Sequence, residues 1–96
     1  MYVVIFRACV KQIDEDYLKT AAKMRELALT EFDCIEFVSS FENNTEIALS
    51  YWKDETSIKK WKQQADHLMA QELGRTQWYE SYSVEVAEIK RQYQSL

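Results

Sequence analysis

The chain has only one glycine and no proline in 96 residues, and these are the residue types that turns and irregular loops use most. It should consist mainly of helices and strands joined by short turns. Its two cysteines, Cys9 and Cys34, make neither a disulfide framework nor a metal site, so we expect buried, reduced thiols in a cytoplasmic protein. The apolar stretch over residues 1–6 is too short to span a membrane and is interrupted by Arg7, so neither a membrane segment nor a signal peptide is expected.

Charge of one sign is also not concentrated anywhere along the chain. Twelve Lys and Arg residues are interspersed with 16 Asp and Glu residues, for a formal net charge of −4. Without a basic stripe, neither a nucleic acid nor an anionic membrane surface is an expected partner. With 47% hydrophobic residues the chain is able to bury a core, and its length predicts a single domain over residues 1–96.

Hydrophobic periodicity predicts a sequence of strands and helices with recognisable ends. Asp14 and Asp54 are expected N-caps, Asn43-Asn44 suits a tight hairpin turn, and Gly74 is an expected C-cap. The predicted elements are a strand over 2–10, a helix over 14–29, strands over 34–41 and 46–52, a helix over 54–73 and a strand over 77–89. This β-α-β-β-α-β order predicts an α+β, ferredoxin-like unit, a four-stranded antiparallel sheet with both helices on one face.

The strands are apolar on both faces, which predicts self-association. In the first strand Val3, Ile5 and Cys9 point to one face, with Arg7 the only charge among them, and the other face carries the apolar residues Tyr2, Val4, Phe6, Ala8 and Val10. In the third strand Ile47, Leu49 and Tyr51 form a similar row. An uncovered apolar face of this size is unusual in a soluble monomer, so we expect an identical subunit to pack its sheet on this one in a two-fold homodimer.

The second half of the chain contains a series of segments with a recognisable order. They are Ala48-Leu49-Ser50-Tyr51-Trp52-Lys53-Asp54-Glu55, then Ile58, Trp61, His67, Ala70-Gln71 and Gly74-Arg75, and finally 79–82 and 84–88. In this order, and together with the opening strand and the hairpin, nearly the whole chain resembles the antibiotic biosynthesis monooxygenase (ABM) family of the dimeric α+β barrel superfamily. The resemblance implies a dimeric barrel with a pocket between the sheet and the helices of each subunit. It also implies a monooxygenase that needs no cofactor and acts on a small aromatic or quinol-type molecule. In such chemistry the anion of an electron-rich phenol or enol donates an electron to O₂.

The family also contains haem-degrading members, and their pattern is not met here. Trp61 matches their tryptophan, but Gln71 falls near the position of their iron-ligating histidine and Phe6 near that of their asparagine. Glutamine and phenylalanine cannot replace an imidazole on iron, so haem degradation is disfavoured.

His67 and Arg75 are the candidate catalytic residues. His67 is the only histidine and belongs to the resemblance, but in a straight helix it lies on the face away from the core, so a role in the pocket requires the helix to bend or break nearby. Arg75 is a candidate for fixing an anionic substrate, or for bonding the last helix carbonyls or Glu80.

The candidate substrate-binding residues are aromatic or lie alone in apolar strands. They are Trp61, Tyr51, Trp78, Tyr79, Tyr82 and Arg7. Each aromatic side chain fits core packing as well as a pocket wall. Two further functions therefore stay open, a non-catalytic dimeric domain that binds a small hydrophobic ligand and, less favoured, an isomerase or decarboxylase.

Overall fold

The observed elements follow the predicted β-α-β-β-α-β order. The computed structural model describes residues 1–71 and 78–95. Its elements are β1 (Tyr2–Val10), α1 (Glu15–Glu31), β2 (Glu36–Glu42), β3 (Thr45–Trp52), α2 (Glu55–Gln71) and β4 (Tyr79–Glu88). The predicted C-cap, Gly74, lies outside the described residues.

The four strands form one antiparallel sheet in the order β2-β3-β1-β4. The register pairs Val4 of β1 with Ser50 of β3 and with Val86 of β4. Phe6 is paired in the same way with Ala48 and Val84. Since side chains directly opposite one another share a face, these residues lie together on the helix-covered side of the sheet.

The β2–β3 hairpin has its turn at the two predicted asparagines. Asn43 and Asn44 have φ angles of 51° and 62°, so both occupy the left-handed region. Two consecutive residues of this kind give the backbone twist that a two-residue hairpin requires. This turn fixes the pairing of Glu42 with Thr45 and hence the register of the whole hairpin.

Both helices begin at the predicted aspartates. An Oδ1 atom of Asp14 accepts a hydrogen bond from the backbone N–H of Tyr17 at 2.8 Å, and Asp54 does the same for Ser57 at 2.9 Å. The bond from Ser57 lowers the pKa of the Asp54 carboxyl because it favours the charged form.

Helix α1 continues to Glu31, two residues beyond the predicted end. Asp33, at a φ of 61°, turns the chain so that the Cys34 N–H reaches the Ala28 carbonyl at 2.9 Å. This left-handed position at a helix end is usually occupied by glycine, so the aspartate found here is a weaker stop signal than glycine would be. Cys34 is buried as predicted, whereas Cys9 is only half-buried.

The described core consists of two separate clusters between the sheet and the helices. The first contains Ala8, Val10, Tyr17, Trp78 and Tyr79, and the second contains Val4, Ala28, Cys34, Trp52 and Ile58. This division leaves space between the clusters that side chains do not fill.

The two described helices leave the other face of the sheet uncovered, and apolar side chains of the central strands β1 and β3 lie at its middle, beside polar residues such as Arg7 and Glu85. Val3, Ile5 and Leu49 are half-buried there, whereas Val38 and Ile47 are exposed. We call these five side chains the helix-free face. Neither helix within residues 1–71 and 78–95 combines the length and the apolar character that a membrane crossing requires.

Candidate functional site

A cavity of about 220 Å³ lies between the helix-covered face of the sheet and the two helices. Its lining is mainly apolar, with small side chains on the sheet and on the helices. The floor includes Val4, Phe6, Ala48 and Ser50, and the roof includes Ala21, Met24, Ile58, Trp61 and Ala65. Alanines in both layers keep this space open, because a larger side chain there would fill it.

The cavity opens beside the edge strand β4. Its lining residues Tyr82, Val84 and Val86 are 45%, 38% and 46% exposed. Charged lining residues also lie at this boundary with solvent, including Lys62 and Asp66, whose Nζ and Oδ2 atoms are 2.9 Å apart. The opening is therefore bordered by valines and a tyrosine of β4 and by charged side chains of α2, whereas the interior is mainly apolar, as in many small-molecule sites.

Trp61 forms a fixed aromatic wall on the α2 side. Its ring centroid lies 5.4 Å from that of Trp52 and 6.0 Å from that of Phe37. Its Nε1–H donates a hydrogen bond to the Met24 carbonyl of α1 at 3.0 Å. The indole is therefore held by both helices and by the sheet, and it presents a planar surface to the cavity.

A second aromatic group lies on the β4 side. The Phe6 ring packs edge-on against Tyr79 with centroids 5.6 Å apart, and it stacks on Tyr82 at 6.1 Å. The two tyrosine rings lie 5.9 Å from one another. The cavity is therefore flanked by aromatic surfaces on two sides, an arrangement suited to a planar ligand.

Glu46, near the start of β3, places a half-buried carboxyl group in the cavity wall. Its Oε2 atom accepts a hydrogen bond from the hydroxyl of Tyr17 on α1. Burial raises the pKa of Glu46, and the bond from Tyr17 opposes part of that rise. Glu46 is thus a carboxylate that accepts a proton more readily than one in water.

The two neighbouring phenols stay protonated at neutral pH. Burial and the bond to Glu46 raise the pKa of Tyr17 above its ordinary value. The pKa of Tyr79 is raised as well, mainly by burial and to a lesser extent by the negative charge of Glu46. Tyr17 is buried behind the wall, whereas Tyr79 lines the cavity itself.

Three of the predicted site residues meet at this cavity, namely Trp61, Tyr79 and Tyr82. Tyr51 and Arg7 do not, since both lie on the opposite side of the sheet. Successive residues of a strand point to opposite faces, and these two alternate with the cavity-facing Ser50 and Phe6. Arg7 is exposed there.

Trp78 and His67 also lie away from the cavity. Trp78 is 1% exposed and packs edge-on against Tyr17 at 5.5 Å, so it belongs to the core rather than to the lining. Among the described residues its Nε1 has no hydrogen-bond partner. His67 is exposed on α2 and does not line the cavity. Arg75 lies outside the described residues.

Sequence reasoning missed Glu46, although a signal for it exists. Glu46 shares the two-residue alternation of Ala48, Ser50 and Trp52, so it is a charged residue on an inward-facing row. Its partner Tyr17 is 29 positions away in the chain, and only the packing of α1 on β3 brings them together.

Metal ligands are not assembled within the described part of the chain. There, no three His, Cys, Asp or Glu side chains come close enough together to hold an ion. Glu46 is accompanied by phenols rather than by further carboxylates.

Two curated proteins are similar to nearly the whole chain, although no family model matches it. The uncharacterized protein YqjZ of Bacillus subtilis is 38% identical over 93 residues, which cover 95% of this chain and 81% of YqjZ. The jasmonate monooxygenase ABM of Pyricularia oryzae is 32% identical over 93 residues, covering 93% of this chain. The chain spans only 43% of the length of that fungal enzyme.

Solved structures with the same fold include SnoaB, a cofactor-independent oxygenase from Streptomyces nogalater. The TM-score is 0.77, with 98% of this chain and 97% of SnoaB covered. At 11% sequence identity this likeness concerns the fold alone.

Proposed function

Because this chain belongs to the antibiotic biosynthesis monooxygenase family, we propose that it is a monooxygenase that oxidises a small aromatic or quinol-type molecule without a cofactor. The observation that carries the proposal is the apolar cavity of about 220 Å³ between the sheet and the helices. Trp61, Tyr79 and Tyr82 supply aromatic surfaces that would hold a planar substrate there.

The reaction needs only a substrate that forms a stable anion. Loss of a proton from a phenol or enol gives an anion, which transfers one electron to O₂. The resulting carbon radical and superoxide combine through a new C–O bond, and the peroxide takes up a proton. Breakage of the O–O bond and of the remaining C–H bond then releases water, so a CH₂ group and O₂ become a carbonyl group and water.

The cavity suits this chemistry because it limits the access of water to the anion. Apolar side chains line most of it, so a charge that forms inside interacts strongly with the few polar groups of the wall. The names of the relatives agree with this chemistry, since one is a jasmonate monooxygenase and SnoaB is a cofactor-independent oxygenase.

The proposal includes a homodimer formed through the helix-free face. Ile47 and Val38 expose apolar surface there beside the half-buried Ile5 and Leu49. An identical subunit related by two-fold symmetry would bury this surface sheet against sheet. The cavity lies on the opposite side of the sheet, so each subunit would keep its own site.

The experiment is oxygen uptake by the purified, metal-free and flavin-free chain with a panel of one- and two-ring phenols and quinols. Ala48 lies on the cavity floor, so Ala48→Leu should fill the space and lower uptake at least tenfold. Thr30→Leu is the control, since Thr30 is exposed on α1, does not line the cavity and lies away from the proposed dimer interface. Tight binding of these compounds without oxygen uptake would refute the monooxygenase and indicate a non-catalytic ligand-binding domain.

A further inference from the structure

We propose that the cavity admits a neutral one- or two-ring phenol or enol with its hydroxyl group against Glu46, which removes the proton while Tyr17 holds the carboxylate in place. The part of this proposal that concerns turnover rests on the proposed function, whereas the part that concerns recognition does not. Two observations carry it, the position of the carboxylate in an apolar wall and the size of the cavity.

The carboxylate of Glu46 is able to bind both Tyr17 and a ligand. A carboxylate has two oxygens with about four acceptor sites. The bond from the Tyr17 hydroxyl uses one of them, and Glu46 still lines the cavity. A ligand hydroxyl that donates to this group would form a charge-assisted hydrogen bond in an apolar setting, which is stronger than the same bond in water.

Tyr17 acts as a positioning residue because contacts of its backbone and of its ring hold it in place. Its backbone N–H is bonded to Asp14 at the helix cap, and its ring packs edge-on against Trp78 and Tyr79 with centroid distances of 5.5 and 6.1 Å. Its hydroxyl therefore reaches Glu46 from a rigid support. The same bond limits the rise in the pKa of Glu46 that burial causes, so the carboxylate remains usable as a base.

Other titratable groups near the cavity do not duplicate this role. Tyr79 and Tyr82 approach from β4, and the pKa of Tyr79 is raised by burial and by the charge of Glu46. Arg25, Lys62 and Asp66 line the cavity from the helices, where Lys62 and Asp66 are paired. A half-buried carboxylate in an apolar wall disfavours a second negative charge beside it, so the ligand should enter neutral.

The cavity volume sets the size of the ligand. A cavity of about 150 Å³ is known to hold benzene, and typical sites for drug-sized ligands measure about 300–1,000 Å³. At about 220 Å³ this cavity fits one substituted ring or two fused rings. Three fused rings exceed this volume and would have to extend through the opening beside β4, so they should bind less tightly.

The proton transfer is balanced within the reaction. The substrate O–H bond breaks, its proton passes to an oxygen of Glu46, and its electron pair stays on the substrate as phenolate or enolate. That anion reduces O₂ and a C–O bond forms, as set out above. Glu46 then returns its proton to the peroxide anion, which restores the carboxylate for the next cycle.

The recognition test is a binding titration followed by tryptophan fluorescence, since Trp61 lines the cavity. The probes are 2-naphthol, its methyl ether 2-methoxynaphthalene, which cannot donate a hydrogen bond, and a three-ring anthracenol. The chain should bind 2-naphthol at least tenfold more tightly than the ether and than the anthracenol. In Glu46→Gln the preference over the ether should fall roughly five- to tenfold, because a neutral acceptor forms a weaker bond. Glu42→Gln, at the exposed hairpin end, is the matched control and should change nothing.

The turnover test uses a pH profile to separate chemistry from structure. Glu46→Gln keeps an acceptor for Tyr17 but cannot take a proton, so turnover should fall by about 10²–10⁴-fold. Tyr17→Phe removes the bond that restrains the pKa of Glu46, so the acidic limb of the rate profile should move to higher pH. A merely structural role for Tyr17 would lower the rate equally at every pH.

Two outcomes would overturn the inference. Equal affinity of the wild-type chain for 2-naphthol and its ether would end the recognition claim, and turnover of Glu46→Gln within threefold of wild type would end the claim for a base. If Glu46→Gln keeps its turnover, oxygen uptake by the wild type would still support the proposed monooxygenase, with another group as the base. If the chain prefers 2-naphthol through Glu46 but takes up no oxygen, the recognition claim would hold and the proposed monooxygenase would be refuted.

Discussion

Replacing Trp61 by phenylalanine tests whether the cavity wall is held as described. The change removes the 3.0 Å hydrogen bond from Nε1 to the Met24 carbonyl, which contributes about 1 kcal/mol net. It also removes roughly 50 Å² of aromatic surface, of which about half is buried, for a further 0.5 kcal/mol or so. The Met24 carbonyl belongs to the interior of α1 and keeps its place in the helical ladder, so no buried acceptor is left without a partner.

The expected total is about 1.5 kcal/mol of unfolding free energy, which corresponds to about 6–12 °C in Tm for a domain of this size. Urea unfolding and thermal melts at one fixed protein concentration measure it, because a dimer would make Tm depend on concentration. Trp52→Phe is the comparison: Trp52 is fully buried, and its Nε1 donates to Ser50 at 2.8 Å. That change should cost more, about 2–3 kcal/mol, since it leaves a buried hydroxyl without its donor. A loss below about 0.5 kcal/mol for Trp61→Phe, or one larger than for Trp52→Phe, would refute the described packing.

Three further predictions concern pH and assembly. Burial raises the pKa of Glu46 in the folded chain, so its contribution to stability should decline as pH rises from the ordinary carboxyl value through the raised one. Urea unfolding of Glu46→Gln should lack that decline, and parallel pH profiles for the two proteins would contradict it. The pKa of Asp54 is lowered by the Ser57 N–H, so its contribution should be complete above the ordinary value and be lost as pH falls through the lowered one. Asp54→Asn should keep the N-cap but remove this loss of stability at acidic pH. An unchanged loss of stability in the variant would show that Asp54 is not its cause. Light scattering should show that the wild-type chain is a dimer and that Leu49→Lys, a change on the helix-free face, converts it to a monomer. The control is Ile35→Lys, which should leave the dimer intact because Ile35 is exposed and lies outside the strands. A monomeric wild type would exclude the proposed interface.

Much of the fold was predictable because its signals are local. The two asparagines at 43 and 44 specify the hairpin, and Asp14 and Asp54 specify where the helices begin. Alternation in β1 divides its residues into the two sets that lie on opposite faces of the sheet. Each of these features depends on residues only a few positions apart, so it can be read without knowledge of the tertiary structure.

The site was less predictable because it depends on contacts that the sequence does not state. The cavity exists because the core divides into two clusters, and no local pattern indicates that the space between them stays open. His67 is a candidate because it is the only histidine, and it lies at the surface, where a straight helix places it. Glu46 is one of 16 acidic residues in the sequence, and its contact with Tyr17 depends on a long-range approach that no local pattern indicates.

The most direct test of the proposed function is a turnover experiment under ¹⁸O₂ in ordinary water, with the product analysed by mass spectrometry. The chain should be free of metal and flavin, and the substrate should be the phenol or quinol that supports the fastest oxygen uptake. The proposal predicts one ¹⁸O atom in each product molecule, because the other oxygen atom leaves as water. A product whose new oxygen comes from water, or no product at all from any one- or two-ring compound that fills the cavity, would contradict a cofactor-independent monooxygenase.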